Sequence, residues 1–327
     1  MQSERLIAHY GPAQNPSTLS QLARDLLAQQ KTAWPQLAAG YRTLETLQVR
    51  ELQCEGFSVR LQFNPQRVVS TGANVEAQAI QARPCFLCQE NLPEPQKGIL
   101  YRDAFLLLCN PAPIFPQHYT ISHLQHRPQA LAEHFETLLQ LAKDFSPHFS
   151  VFYNGPKCGA SAPDHLHFQA CPANAIPIAS QIHEPGRRML VKNVLGVAIH
   201  KTQKLGREIL LLTGCDAEAL VLAFLRAIAA MREVMLGPDE PMMNVICSCE
   251  EELYQALIFP RRRHRPAVYF REPGERILIS PASVDMGGLI ITPIEKDFLA
   301  VEAQVIENIY QEVSLTPEAT RQIIARI

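Results

Sequence analysis

The sequence of 327 residues predicts an α+β fold built from two related halves, each an antiparallel sheet with packed helices. One observation behind this prediction is a helical pattern from Pro128 to Phe145 that precedes strand patterns at residues 149–153 and 165–171. The other is a second copy of this helix, strand, loop and strand at residues 216–235, 243–247 and 253–259. We therefore divide the chain into residues 1–80, 81–178 and 179–327, where the first segment completes the first half.

The N-terminal segment predicts a helix and a hairpin. Leucines recur at helical spacing over residues 16–30, which predicts an amphipathic helix that ends before Pro35. Alternating apolar residues on both sides of Glu55-Gly56, from Val49 to Phe63, predict a β-hairpin. Apolar runs predict two further strands at residues 104–109 and 118–122.

The remaining elements have clear boundary signals. Pro128 suits the first turn of the helix at 128–145, and Asp216 is a favourable N-cap for the helix at 216–235. Near the C-terminus, the sequence predicts a strand at Leu289 to Ile291, a helix that opens at Glu295 and a closing helix that starts at Thr316.

Composition favours an enzyme of the cytoplasm. The content of hydrophobic residues is 47% and the formal net charge is −2, a balance that argues against a general binder of nucleic acid or membranes. Nine cysteines, an odd number, together with no recognisable targeting or membrane-spanning segment, favour reduced thiols inside a cell.

The segment from Asp164 to Gln169 carries the strongest chemical signal. In a strand, His165, His167 and Gln169 share one face, while Leu166 and Phe168 share the other. Three polar side chains then point at one place. The alternative is an edge strand with a solvated polar face. Asp164 either orients a ring or caps a turn.

The loop before these histidines has the composition of a phosphate-binding loop. It contains Asn154, Lys157, Gly159 and Ser161. Glycine allows backbone N–H groups to approach a ligand closely, and a loop of such donors forms a concavity for anions. The sequence therefore places a phosphate site next to the histidine pair.

Pro84-Cys85-Phe86-Leu87-Cys88 is a Cys-x-x-Cys motif, which by itself fits a zinc knuckle, a redox pair or two buried thiols. Pro84 before it and the segment Gln89 to Pro93 after it favour a knuckle, because redox pairs begin a helix after a strand.

These motifs resemble the nucleotidyltransferase branch of the histidine-triad (HIT-like) superfamily, which includes galactose-1-phosphate uridylyltransferase, diadenosine tetraphosphate phosphorylase and GDP-hexose phosphorylase. Members of the branch carry Asn, a Gly-x-Ser loop and His-x-His-x-Gln, which correspond to Asn154, Gly159 to Ser161 and His165 to Gln169. The resemblance implies two HIT-like halves, of which the first is catalytic and the second, which lacks the motif, is degenerate.

The resemblance also implies roles for individual residues. His167 is the expected nucleophile toward an α-phosphorus, and Gln169 is the expected donor to a phosphate oxygen. In zinc-bearing relatives the ligands correspond to Cys85, Cys88, His126 and His165, a set typical of structural zinc. His123 is an alternative to His126, although His126 lies at the expected eight-residue spacing from His118. Some relatives lack zinc.

Arginines complete the set of candidate phosphate ligands. Arg67 lies in a segment that resembles a nucleotide-contacting loop of relatives, and a surface salt bridge is its alternative role. Arg261 and Arg263 belong to a run of four arginines at residues 261–265, which either binds substrate phosphate or is a solvated face. The segment from Ser280 to Phe298 resembles part of the GDP-hexose phosphorylases, which favours a phosphorylase.

The expected function is ping-pong nucleotidyl transfer through a nucleotidyl-histidine. The expected substrate is a nucleotide sugar or a dinucleoside polyphosphate, and the acceptor is phosphate or a sugar phosphate. A third histidine in place of Gln169 could protonate a poor leaving group, whereas an amide cannot titrate, so the motif favours transfer over hydrolysis. The alternatives are a nucleotide hydrolase and a zinc-stabilised nucleotide-binding protein without turnover. A homodimer is compatible with each of these three functions.

Overall fold

The computed structural model describes residues 5–11, 18–237 and 239–327. The strands in these ranges are β1 (Leu6–Tyr10), β2 (Gln48–Cys54), β3 (Phe57–Phe63), β4 (Gly98–Tyr101), β5 (Phe105–Cys109), β6 (Tyr119–His123), β7 (Phe149–Asn154), β8 (His167–Pro172), β9 (Arg188–Val194), β10 (Val197–Thr202), β11 (Leu210–Gly214), β12 (Met243–Glu250), β13 (Leu253–Pro260) and β14 (Leu289–Thr292). The α-helices are α1 (Leu19–Ala33), α2 (Pro35–Thr43), α3 (Val68–Thr71), α4 (Ala77–Gln81), α5 (Phe135–Asp144), α6 (Ile178–Gln181), α7 (Ala217–Met235), α8 (Ser283–Met286), α9 (Glu295–Ala300), α10 (Ala303–Val313) and α11 (Pro317–Arg326).

Eleven of the described strands form one sheet, in the order β1-β4-β5-β6-β8-β7-β12-β13-β11-β10-β9. The same antiparallel arrangement occurs twice in it, as β4-β5-β6-β8-β7 from one side and β9-β10-β11-β13-β12 from the other. Helix α5 connects β6 to β7, and α7 occupies the same place between β11 and β12. The predicted α+β fold is confirmed, with one difference: β7 and β12 pair, so the two antiparallel arrangements form one continuous sheet.

Each face of this sheet packs on its own core. On one face, α1, α5, α7 and α11 bury their apolar sides, and the rings of Phe135 and Phe224 stack with centroids 3.8 Å apart. On the other face lie a three-stranded sheet and helices α6, α8 and α10. Strand β8 contributes to both cores, because Phe168 and Ala170 enter the core with α1, α5, α7 and α11 while Cys171 enters the opposite one. No helix in the described part of the chain is long and apolar enough to cross a membrane.

The predicted hairpin exists as β2 and β3, but its third partner comes from the distant C-terminal part of the chain. Strand β14 pairs in parallel with β3, so Leu61 lies opposite Ile290. The three-stranded sheet therefore places the segment that directly follows β3 and the segment that directly precedes β14 on the same face of the large sheet. The division at residues 80 and 178 stays a prediction.

Other predicted elements are confirmed, with small shifts at their ends. The first helix runs from Leu19 to Ala33 and is capped by Thr18, whose hydroxyl accepts from the N–H of Gln21 at 3.2 Å; the predicted start at residues 16 and 17 lies outside the described residues. Asp216 caps α7 and Thr316 caps α11.

The helix predicted at 128–145 is shorter than expected. Its α-helical part begins at Phe135, after a 3-10 turn at Ala132–His134, and residues 128–131 are not helical. The buried amide of Gln129 forms hydrogen bonds to β7 and β8 instead, and the N–H of Leu131 donates to the carboxylate of Glu240. These contacts hold the segment outside the helix, so Pro128 does not start one.

Candidate active site and metal centre

Cys85, Cys88, His126 and His165 bring their ligand atoms together within 4.8 Å of one another. The Cys85 Sγ lies 3.3 Å from His165 Nδ1, and the Cys88 Sγ lies 3.2 Å from His126 Nδ1. A tetrahedral zinc with bonds of about 2.3 Å to sulfur and about 2.0 Å to nitrogen places neighbouring ligand atoms about 3.5 Å apart. The cluster is therefore compatible with a structural zinc ion.

The surroundings of the cluster also suit a metal. His165 Nε2 lies 2.7 Å from the carbonyl oxygen of His123, so this nitrogen carries the hydrogen and Nδ1 is the free ligand atom. The side-chain amide of Asn91 donates to the carbonyl of Cys85 at 2.9 Å and holds the knuckle. His123 points its own ring at Gln125, so the structure selects His126 over His123 as the member of the cluster.

His167 is a buried histidine with one nitrogen already engaged. Its Nδ1 donates to the carbonyl oxygen of His165 at 2.8 Å, and burial lowers the pKa of the ring to about 4. The imidazole is therefore neutral near pH 7 and its lone pair lies on Nε2, which has no partner among the described residues. His167 lines a cavity on the face of the sheet opposite α1, α5, α7 and α11. This is the arrangement that nucleophilic catalysis requires.

Gln169 lines the same cavity and is oriented by a histidine behind it. His118 is fully buried and donates from Nε2 to the Gln169 side-chain oxygen at 2.8 Å, while its Nδ1 accepts from the N–H of Ile114 at 3.3 Å. Burial lowers the pKa of His118 to about 3, so the ring is neutral and its tautomer is fixed by these two bonds. The oxygen of Gln169 is thus occupied, and its NH₂ group is left to donate into the cavity.

The loop from Asn154 to Ser161 forms a wall of the cavity. The side-chain oxygen of Asn154 accepts from the N–H and the hydroxyl of Ser283, at 2.8 and 2.7 Å, and this leaves its NH₂ group for the cavity. Gly159 has a φ of +92° and packs so closely on Ala282 that an added Cβ would lie 2.5 Å from the alanine Cβ. Ser161 also lines the cavity, whereas Lys157 is exposed and outside the wall, contrary to its expected substrate contact.

The cavity has a volume of about 620 Å³, within the usual size of ligand pockets. Three arginines line it: Arg67, Arg83 and Arg265. Arg67 donates to the carbonyl of Ala112 at 2.9 Å, and Arg265 donates to the Ser280 hydroxyl at 3.0 Å. Because carbonyl and hydroxyl oxygens hold these two side chains, their charges are not cancelled by those contacts. The wall is therefore suited to an anionic ligand.

Arg261 and Arg263 do not line the cavity, which differs from the expectation for the arginine run. Arg263 is exposed, and its guanidinium lies 4.0 Å from Glu312. Arg261 has no exposed surface; it donates at 2.6 Å to the side-chain oxygen of Asn244, and also to the carbonyl of Pro281. A side chain with all its donors inside the protein has none left for a substrate.

Arg261 nevertheless supports the site indirectly, through the side chain of Asn244. The NH₂ group of Asn244 donates to the side-chain oxygen of Asn154 at 3.0 Å and to the carbonyl of Cys158 at 2.7 Å. A buried relay therefore runs from Arg261 through Asn244 to Asn154 and its loop. Strands β12 and β13 supply this relay, so the second half of the large sheet holds the loop of the first.

Sequence reasoning gave no individual role to four residues that build this site: His118, Gln129, Asn244 and Arg265. His118 was placed only as a spacing mark for His126, and Arg265 belongs to the same run as Arg261. Nothing in the local sequence distinguishes Gln129 or Asn244 from other polar residues, because their partners are distant in the chain.

Comparisons with known proteins agree with the fold. A family model described as a domain of unknown function, DUF4922, matches residues 26–172, and no curated protein matches the sequence. Yeast Ap4A phosphorylase Apa2 is similar in structure, with 14% identity, a TM-score of 0.52, and coverage of 86% of this chain and 94% of that chain. Its complex with AMP gives 15% identity and a TM-score of 0.53, with coverage of 88% of this chain and 96% of that chain. Its complex with Ap4A gives 13% identity and a TM-score of 0.54, with coverage of 86% of this chain and 97% of that chain. The likeness confirms what the motifs implied about architecture: this chain has the fold of yeast Ap4A phosphorylase.

Proposed function

We propose that the protein transfers a nucleoside monophosphate between phosphates through a covalent intermediate on His167. The observation that carries this proposal is the paired orientation of two side chains in one cavity. His167 presents a neutral Nε2 because its Nδ1 is bound to a carbonyl, and Gln169 presents its NH₂ group because its oxygen is bound to His118. A nucleophile and a neutral donor for developing negative charge are the two parts that phosphorus chemistry needs.

The reaction has two balanced steps. In the first, the Nε2 lone pair of His167 forms a bond to the α-phosphorus, while the bond from that phosphorus to the leaving phosphate oxygen breaks and the leaving group departs as an anion. The hydrogen stays on Nδ1 and keeps its hydrogen bond to the carbonyl oxygen of His165, and this bond stabilises the positive charge that the ring acquires. In the second, an oxygen of the acceptor phosphate attacks the same phosphorus, and the N–P bond breaks to return a neutral imidazole.

The charge of the cavity favours a dinucleoside polyphosphate over a nucleotide sugar. Arg67, Arg83 and Arg265 line the wall with one acidic residue, Asp285, and Arg83 also forms an ion pair with Asp164 at 3.5 Å, so the wall keeps a net positive charge. A polyphosphate chain carries more negative charge than the diphosphate of a nucleotide sugar, and guanidinium groups match phosphate oxygens in geometry. Yeast Ap4A phosphorylase, which has this fold, has been solved with AMP and with Ap4A. Inorganic phosphate is the acceptor that this proposal implies.

We propose zinc as the resident metal of the Cys85, Cys88, His126 and His165 cluster, with a structural role. A closed site with four protein ligands has no open position for a substrate. Thiolate ligands require a reducing compartment, which supports the cytoplasm as the location. The homodimer stays a prediction, and both walls of the described cavity come from a single chain.

Product analysis tests the function. Purified protein is incubated with Ap4A, with and without ³²P-labelled inorganic phosphate, and the nucleotides are separated. We expect repeated turnover to ATP and labelled ADP only when phosphate is present, since AMP is transferred to phosphate; without phosphate, at most one ATP per protein is released as the intermediate forms. Equal turnover without phosphate, with AMP as the product, would establish the hydrolase instead.

Two controls complete this test. GDP-mannose in place of Ap4A tests the preference for a polyphosphate. His167→Ala is expected to abolish product formation while AMP still binds, because the arginines and Asn154 remain. If wild-type protein binds nucleotides but turns over neither substrate, the non-catalytic binding protein is the correct reading.

A further inference from the structure

The ladder between β7 and β8 stops within the stretch that faces the cavity. The pair Phe152 and Gln169 is the last in register, and continuing the same register would place Asn154 opposite His167. At that position the strands do not pair with each other. The buried side chain of Gln129, which is 2% exposed, lies between them.

The amide of Gln129 makes three hydrogen bonds in this gap. Its oxygen accepts from the N–H of His167 at 2.8 Å, and its nitrogen donates to the carbonyl of His167 at 3.0 Å and to the carbonyl of Asn154 at 2.9 Å. An amide side chain has the same donor and acceptor groups as a peptide unit. Gln129 therefore satisfies three backbone groups that would be unpaired where the strands separate.

The backbone around Gln129 is itself fixed. Its N–H donates to the carbonyl of Pro163 at 3.1 Å, and the N–H of Leu166 donates to the carbonyl of Arg127 at 2.6 Å. Two residues further on, the N–H of Leu131 donates to the carboxylate of Glu240, which also accepts from the hydroxyl of Tyr153. Because the segment is anchored on both sides, the amide is held in place before any substrate binds.

We propose that Gln129 is the positioning residue of His167: it holds β7 and β8 apart and fixes the main chain of His167 at the distance from Asn154 that a phosphate needs. This inference rests on the proposed function. Without the amide, the strands lose the contact that separates them, and His167 shifts relative to Gln169, which stays in the paired part of the ladder. A small displacement of a nucleophile affects the chemical step more than it affects the binding of the nucleotide.

The test compares Gln129→Met with Gln30→Met. Gln30 is a matched control because it is also 2% exposed and also bridges backbone groups through its amide, but its partners are the carbonyl of Pro95 and the N–H of Lys97, which belong to neither β7 nor β8. Both variants lose buried hydrogen bonds and keep a side chain of similar length. Steady-state rates are measured with Ap4A and inorganic phosphate, and melting temperatures are measured for both proteins.

For Gln129→Met we expect kcat to fall on the order of 100-fold, as misplacement of a reacting group by about 1 Å commonly costs. KM for Ap4A is expected to change by less than about threefold, because ground-state contacts remain. Gln30→Met is expected to lose stability with kcat within about twofold of wild type. A fall in kcat that is equal in both variants, or a Gln129→Met enzyme with wild-type kcat, would overturn the inference.

Two further results separate this inference from the proposed function. If the wild-type protein gives no transfer, the proposed function fails, and the positioning role fails with it. If the wild type is active but Gln129→Met does not fold, Gln129→Glu is tested next, since it keeps the oxygen for the N–H of His167 and loses both donated bonds. Failure of both variants to fold, while Gln30→Met folds, would make Gln129 a determinant of the fold and overturn the positioning role.

Discussion

Replacing Arg261 by methionine tests the buried relay that supports the loop of the candidate active site. Arg261 has no exposed surface, and its guanidinium donates to five oxygen atoms: those of the Asn244 side chain and of the Val313, Pro281, Arg263 and His264 carbonyls. Methionine has a similar length and no donor. The substitution therefore removes every one of these hydrogen bonds without opening a large space.

The magnitude follows from the acceptors that lose their donor. The Val313 carbonyl keeps a bond from the N–H of Arg262, and the carbonyls of Arg263 and His264 lie in a loop near solvent. The Asn244 oxygen and the Pro281 carbonyl lose donors inside the protein, at about 1–3 kcal/mol each. Loss of the buried charge offsets part of this cost. We expect the free energy of unfolding to fall by about 3–5 kcal/mol, a value typical of breaking one side of a buried polar pair.

Thermal unfolding measures this effect, with Arg263→Met as the control. At about 2 °C per kcal/mol for a large domain, Arg261→Met is expected to melt roughly 6–10 °C below wild type. Arg263 is exposed and outside the cavity, so Arg263→Met is expected to change the free energy of unfolding by less than about 0.5 kcal/mol. A melting temperature of Arg261→Met equal to that of wild type would refute the relay, and a loss of AMP affinity in Arg263→Met would contradict the placement of Arg263 outside the cavity.

Three further predictions concern the metal, the histidine behind Gln169 and the cavity arginine. Metal analysis is expected to find one zinc ion per chain. Chelation or Cys88→Ser is expected to lower the melting temperature, because the free energy of metal binding adds to that of folding. A purified protein that contains no metal and keeps its stability after chelation would contradict this prediction. His118→Phe keeps a buried ring but removes the hydrogen bond to the Gln169 oxygen. We expect kcat to fall by about fivefold to tenfold, the equivalent of one hydrogen bond, with little change in KM. An unchanged kcat would show that Gln169 is oriented without this hydrogen bond. Arg265→Gln is expected to raise KM for Ap4A by about 10-fold or more, which corresponds to the loss of one charged hydrogen bond. The increase in KM for GDP-mannose is expected to be smaller. Equal increases for both substrates would contradict the preference for a polyphosphate.

Local sequence patterns predicted most elements of the fold, because they depend on periodicity and on end signals. Asp216 and Thr316 are helix caps in the structure as well as in the sequence, and the strand at Leu289 to Ile291 was recognised from its apolar run. The partner of that strand was not predictable, since β14 pairs with β3, which lies more than two hundred residues away in the chain. The N-terminal end of α5 was misplaced for a similar reason: the pattern after Pro128 is helical, but the partners of Gln129 are on distant strands.

The residues of the candidate site also differ in how far local sequence patterns predict them. Motifs with fixed spacing, such as Cys85 with Cys88, identified members of a cluster that the structure brings together with His126 and His165. Arginines in a continuous run have no such spacing rule. Arg261 points into the protein and Arg265 into the cavity, because a strand and the turn after it direct their side chains differently. Which arginine meets the ligand depends on the fold and not on the run.

The most direct test of the account is the mass of the intact protein after incubation with Ap4A in the absence of phosphate. We expect an increase equal to one AMP less one water, located on His167 by peptide mapping, absent in His167→Ala, and removed when inorganic phosphate is added. An increase located on another residue, or turnover of Ap4A with no covalent nucleotide at His167 under rapid quenching, would contradict the central claim.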